Sequence, residues 1–277
     1  MRLQEHNSKK KTHKKLWITL AVVAVVILMA VNFWIAYVRD YYRANTAAQD
    51  ALSDYGGVTV TYTDENAILF IPEEVRAGVI FYPGGKVEYT AYAPLLHELA
   101  ENGIFCVLPH MPCNLAVLDV DAADGYIEQF PQVEHWYIGG HSLGGSMAAS
   151  YYSKHRESFD GLVLCAAYST ADLTGEDGGS TGAAGAQTAD ASGDVPDGSA
   201  SAARVLSIYG SNDGVLSMKK YEKYRKNLPD DFEEEVIDGG CHAFFGSYGA
   251  QDGDGEPSIT NAEQIHTTVD FIVSFLK

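Results

Sequence analysis

Two kinds of apolar pattern divide this chain. From Leu16 to Val38 no residue is charged over 23 positions, with Thr19 and Asn32 the main polar interruptions. A helix of that length rises to roughly 35 Å, enough to cross a hydrocarbon core of about 30 Å. Beyond residue 55 the pattern changes to short apolar runs alternating with longer amphipathic ones. The runs predict strands at Val58 to Tyr62, Ile68 to Ile71, Gly78 to Tyr82, Ile104 to Leu108, Trp136 to Gly139, Leu162 to Cys165, Val205 to Tyr209 and Glu234 to Ile237. Several are continuous Val, Ile, Leu and Phe, as expected of strands covered on both faces. The amphipathic stretches predict helices at Tyr92 to Asn102, Leu115 to Phe130, Gly144 to His155, Met218 to Asn227 and Asn261 to Leu276. In the first of these Pro94 suits the opening turn, Leu95, Leu96, Leu99 and Ala100 share a face, and Gly103 suits the end. Strands alternating with helices imply an α/β fold with a mostly parallel sheet flanked by helices, its first hairpin antiparallel.

The segments between these patterns set the domain organisation. Residues 1–15 read as a basic cytoplasmic tail, 16–38 as a transmembrane signal anchor, 39–55 as a linker, and 56–277 as the folded domain. A signal sequence cleaved near Ala44 and Ala47 is the competing reading, but the apolar core of such a signal is usually shorter than this run. Basic residues ahead of the span keep the N-terminus inside, so the domain is expected on the extracytoplasmic side of the cell membrane. Trp17, Trp34, Tyr37, Tyr41 and Tyr42 lie near the span's ends, where amphipathic rings suit the headgroup region. Residues 172–203 hold mostly Gly, Ala, Ser, Thr and Asp and no aromatic or basic residue, which predicts a flexible insertion rather than an ordered lid.

Charge narrows the partners. Nineteen Lys and Arg stand against 37 Asp and Glu, for a net charge of −18. Six of the basic residues and one acid fall in the first fifteen positions, leaving thirteen against thirty-six for the rest. Such a body repels phosphate backbones, so nucleic acid is not expected as a partner. Cys106, Cys113, Cys165 and Cys241 show no metal-ligand spacing and are expected as small core residues, with the role of Cys241 open.

The chemistry concentrates in three short motifs. Gly140-His141-Ser142-Leu143-Gly144 matches G-x-S-x-G between an expected strand and an expected helix, the setting in which a sharp turn holds a serine Oγ clear of the sheet. A serine nucleophile needs a base, and the base an orienting acid. Of the histidines after Ser142, His155 lies too far along the same helix and His266 lies within the last one. His242, in the Gly-rich stretch Asp238 to Gly246, is the candidate base. Asp213, in Tyr209-Gly-Ser-Asn-Asp-Gly-Val215, is the candidate acid, with Asp238 and Asp172 as alternatives. The N–H groups of Leu143 and Gly85 are the candidate oxyanion donors, Lys86 being the alternative to Gly85. His110, Met111 and the segment from Pro112 to Ala116 either line the same face or form a structural loop.

At these motifs the chain resembles the α/β-hydrolase superfamily, and within it the dienelactone-hydrolase-like branch, over roughly residues 56–277. The resemblance implies an α/β-hydrolase fold with an eight-stranded sheet, and nucleophile, acid and base at Ser142, Asp213 and His242. Dienelactone hydrolases carry a cysteine nucleophile; serine in its place favours small-molecule or lipid-like ester substrates. The expectation is therefore a membrane-anchored serine carboxylesterase that needs neither metal nor organic cofactor. The rival readings are an acyltransferase acting on a cell-envelope acceptor and a catalytically silent binding module.

Overall fold

A computed structural model describes residues 2–64, 67–175 and 203–276. The chain divides into two compact units, Met1–Tyr41 and Tyr42–Lys277. The first is one helix, α1 (Arg2–Arg39), longer on its N-terminal side than the apolar run alone. Within it Lys15–Arg39 is long and apolar enough to cross a membrane, and its apolar side chains are exposed.

The second unit is built on eight strands: β1 (Val58–Tyr62), β2 (Ile68–Pro72), β3 (Ala77–Tyr82), β4 (Ile104–Leu108), β5 (Trp136–His141), β6 (Gly161–Cys165), β7 (Val205–Gly210) and β8 (Glu233–Ile237). They form one sheet in the order β1-β2-β4-β3-β5-β6-β7-β8. The β1–β2 and β2–β4 pairs are antiparallel and the other five are parallel. All eight expected strands are present. The helices are α2 (Thr46–Asp50), α3 (Ala93–Glu101), α4 (Tyr126–Gln129), α5 (Leu143–Tyr152), α6 (Met218–Arg225) and α7 (Asn261–Phe275).

The continuous apolar strands are explained by cover on both faces. Successive side chains alternate across a strand, so Val79 and Phe81 join one core with Leu95, Leu96 and Leu99 of α3 and Val269 and Ile272 of α7. Ile80 and Tyr82 join the other core with Ala148, Ala149 and Tyr152 of α5. The edge strand β8 carries Glu233, Glu234 and Glu235, charges that discourage pairing with another sheet edge. A reciprocal cap starts α7: Thr260 Oγ1 accepts the Glu263 N–H, and the Glu263 carboxylate accepts the Thr260 N–H.

Three sequence expectations change. The helix expected over Leu115 to Phe130 is broken into a 3-10 turn, Ala116–Leu118, and the four-residue α4. Gly125 turns left-handed at φ 80°, and the buried Tyr82 hydroxyl takes the intervening backbone, donating to Val120 O and accepting from Ala123 N. Cys113 is exposed at φ 54° rather than packed in the core, while Cys106, Cys165 and Cys241 are buried and all four are free. The insertion at 172–203 lies for the most part outside the described residues; at its near margin Leu173 is buried and its N–H donates to Asn227 O at 2.7 Å.

The segment read as a linker also differs. Tyr42 N–H donates to Lys86 O and Tyr42 O accepts from Glu88 N–H, each at 2.8 Å. Asn45 N–H donates to Ser247 O, and Ala48 and Ala51 are buried. Residues 42–51 are thus a strap on the loops after β3 and β8. Cutting before residue 52 removes several hydrogen bonds and two buried methyl groups, worth about 2 kcal/mol together. A chain starting at residue 52 is expected to melt about 4–8 °C below one starting at residue 40, measured by scanning calorimetry.

Candidate active site

Strand β5 runs directly into Ser142, and α5 starts at the next residue. Ser142 has φ 53° and ψ −121°, a backbone state that costs a non-glycine residue about 1–3 kcal/mol and persists where its surroundings enforce it. Here its N–H is held by Cys165 O at 2.9 Å and its carbonyl by Ser146 N–H at 3.1 Å. The turn presses α5 onto the end of β3. A Cβ at Gly144 would fall 2.3 Å from the carbonyl oxygens of Tyr82 and Pro83, so no side chain fits there.

Asp213 and His242 come together from loops after β7 and β8. His242 Nδ1 lies 2.8 Å from Asp213 Oδ2, with both side chains 2% exposed. The other carboxylate oxygen of Asp213 accepts the N–H groups of Val215 and Leu216 at 2.8 and 2.7 Å, which fixes its plane. Ring Nε2 of His242 is left over, buried and without a protein partner among the described residues. Ser142 and His242 line one cavity of about 260 Å³, together with Leu143, Ala166, Tyr168 and Leu216.

The alternatives lie elsewhere. Asp238 meets Ser211 Oγ at 3.4 Å, Asp172 binds Thr174, His155 meets Tyr151 O, and His266 pairs with Glu98. His110 packs edge-on against Tyr89 and Met111 is buried; neither lines the cavity. Of the candidate oxyanion donors, Leu143 N–H sits at the start of α5, where it has no partner within the helix. Lys86 N–H is taken by Asn114 O at 2.8 Å. Gly85 N–H makes no hydrogen bond among the described residues, and a Cβ on it would lie 2.8 Å from Leu143 Cδ2. Gly85 thus packs against the side chain of Leu143.

The family model described as Alpha/beta hydrolase family matches residues 78–190 and 191–266. The chain belongs to that family. A search of curated proteins returns no match. Among solved structures, the chain is similar to a dienelactone hydrolase from Anabaena variabilis at 14% identity, with a TM-score of 0.51 and 80% of this chain and 100% of that one covered. Carboxyl esterase 2 from the fungus Tuber melanosporum is 13% identical, with a TM-score of 0.53 and coverage of 86% and 90%. Est1E from Butyrivibrio proteoclasticus is 14% identical, with a TM-score of 0.50 and coverage of 79% and 99%. These likenesses are of fold, and function has to be argued from the site.

Two residues that sequence reasoning missed hold the loop of His242 in this alpha/beta hydrolase. The Asp254 carboxylate accepts four backbone N–H groups, from Gly214 and His242 at 3.1 Å, Gly255 at 2.9 Å and Ala243 at 2.8 Å. It therefore ties the loop of Asp213 to the loop of His242. Burial alone would raise its pKa, but the four donors outweigh that and hold it below the usual carboxylate value. The buried Gln264 of α7 accepts from Cys241 N–H at 2.9 Å and donates to Cys241 O at 2.8 Å. Cys241 itself stays a thiol: burial, then the Asp254 charge, push its pKa up to about 12. Among the described residues no three His, Cys, Asp or Glu side chains are grouped as metal ligands would be.

Proposed function

We propose that this chain is a serine carboxylesterase anchored in a membrane by α1, with its hydrolase unit outside the cytoplasm. The observation that carries the catalytic reading is the buried Asp213–His242 pair, which engages Nδ1 and leaves Nε2 free beside the cavity that Ser142 lines. Nε2 takes the proton of Ser142 as Oγ attacks an ester carbonyl, and Asp213 holds the ring and stabilises the imidazolium. The tetrahedral oxyanion is received by the N–H groups of Leu143 and Gly85. Nε2 then returns the proton to the leaving alcohol, and water releases the acyl group by the same route. A cavity of about 260 Å³ suits a short acyl chain, being below the roughly 300–1,000 Å³ of drug-sized sites. The anchoring part rests on the exposed apolar helix and the lysines ahead of it, which favour a cytoplasmic N-terminus.

The test is fluorophosphonate labelling of the full chain in detergent, followed by turnover of esters of increasing acyl length. Labelling and turnover that decline beyond short acyl chains are expected; a folded protein that does neither would overturn the catalytic reading. Protease protection in membrane vesicles of known sidedness tests the placement. Gly85→Ala adds a methyl group against Leu143 at the oxyanion corner. Its kcat on a short-chain ester is expected to fall about 10-fold, with the melting temperature nearly unchanged because the flexible end of Leu143 can yield.

A further inference from the structure

Three buried side-chain polar atoms lack a partner among the described residues, and two of them are imidazole nitrogens packed together: Nε2 of His242 and Nε2 of His141. The His141 and His242 ring centroids lie 4.5 Å apart at an angle of 51°. His141 is itself 1% exposed and immediately precedes Ser142. On its other side, Nδ1 lies 2.7 Å from the hydroxyl of the fully buried Tyr92, and that hydroxyl accepts the N–H of Gly84 at 3.0 Å. The Tyr92 oxygen already accepts from Gly84, and its own hydrogen, fully buried, needs an acceptor. Nδ1 of His141 is the one in reach, so Tyr92 donates to it and the His141 proton resides on Nε2. The ring is neutral: burial first, then the neighbouring His242, push its pKa well below the usual histidine value.

One short polar string thus touches three separate parts of the site. Gly84 belongs to the loop that presents Gly85, His141 to the strand that presents Ser142, and His242 is the base. The fit is tight, since a Cβ on Gly84 would come within 2.6 Å of the Tyr92 hydroxyl and 2.8 Å of His141 Nδ1. Burying a phenol and an imidazole costs more than burying two apolar rings of the same size, unless the directed hydrogen bonds are used. Resting on the serine hydrolase reading above, we propose that Tyr92 and His141 are positioning residues that lock the oxyanion loop and the base to one reference point. His141, carrying no charge, sits against the imidazolium formed on His242 without repelling it.

The test uses Tyr92→Phe, His141→Gln and His141→Leu in the full chain, read by steady-state kinetics on a short-chain ester, fluorophosphonate labelling rate and melting temperature. Tyr92→Phe keeps the ring but strands the Gly84 N–H and His141 Nδ1. Its kcat and labelling rate are expected to fall about 10- to 100-fold with KM within about twofold, because misplaced donors matter most in the transition state. His141→Gln restores an acceptor for the Tyr92 hydroxyl and is expected to recover most of kcat, whereas His141→Leu is not. A Tyr92→Phe enzyme with kcat within twofold of wild type would overturn the proposal, and so would equal loss in the Gln and Leu variants at matched melting temperatures. A wild type that neither labels nor turns over ester would remove the hydrolase reading together with this one, whereas a wild type that labels while Tyr92→Phe is unaffected removes this one alone.

Discussion

Ser142→Ala is expected to lower kcat on any ester substrate by at least about 10,000-fold and to abolish fluorophosphonate labelling, while the melting temperature stays within about 2 °C of wild type. The asymmetry follows from the local geometry. In the proposed mechanism the missing atom is the one that forms the acyl bond, so neither the proposed oxyanion donors nor the proposed base can compensate for it. The backbone state at φ 53° is enforced by Cys165 O, Ser146 N–H and the contact of Gly144 with β3, none of which involves the serine hydroxyl. Alanine therefore inherits the same strain. Glycine tolerates a positive φ, and Ser142→Gly is expected to be inactive yet more stable by about 1 kcal/mol. Turnover by Ser142→Ala above about 1% of wild type would remove Ser142 from the mechanism.

The largest loss of stability is expected from Asp254→Ala. Four backbone donors lose their acceptor at once, and with each unmet donor costing about 1–3 kcal/mol when shielded from water, partial solvent access brings the total to about 3–5 kcal/mol. Activity falls as well, because the variant unties Gly214 beside Asp213 from His242 and Ala243. The pH dependence has a definite sign. A carboxylate whose folded pKa lies below its unfolded value stabilises fully above the unfolded pKa and ceases to do so as pH falls through the folded one. The gap in melting temperature between wild type and Asp254→Ala should therefore be constant from pH 7 to about 5 and narrow below about pH 4. A gap that widens toward acid would contradict the bonding described for Asp254.

How much of this was legible in the sequence depends on how local the cause is. The inner strands could be read because runs such as Ile104–Leu108 and Leu162 to Cys165 are uninterrupted and apolar, and a strand buried on both faces leaves that mark in its own residues. The turn at Ser142 could be read for a similar reason: its glycines answer a contact forced by neighbours a few positions away. The span from Leu115 to Phe130 misled because its apolar spacing was sound while the competing partner, the Tyr82 hydroxyl, sits about forty positions earlier in the chain. Asp254 was invisible for the same reason. In Asp252-Gly-Asp-Gly255 it looks like any solvated loop acid, and its distant partners lie eleven to forty positions before it. Tyr92 read as the opening of a helix, and nothing near it in sequence announces that its hydroxyl joins Gly84 to His141.

The strap of residues 42–51 redraws the boundary of what can be moved as a module. By composition the hydrolase unit could be detached at residue 55 and grafted behind a membrane helix or a secretion signal of choice. Tyr42 is hydrogen-bonded on both sides of Val87, so that cut would pass through the hydrolase unit rather than beside it. The transferable piece begins at Tyr42, three residues beyond the end of α1, and a processing protease that trimmed the chain at Ala47 would release a damaged enzyme rather than a free one.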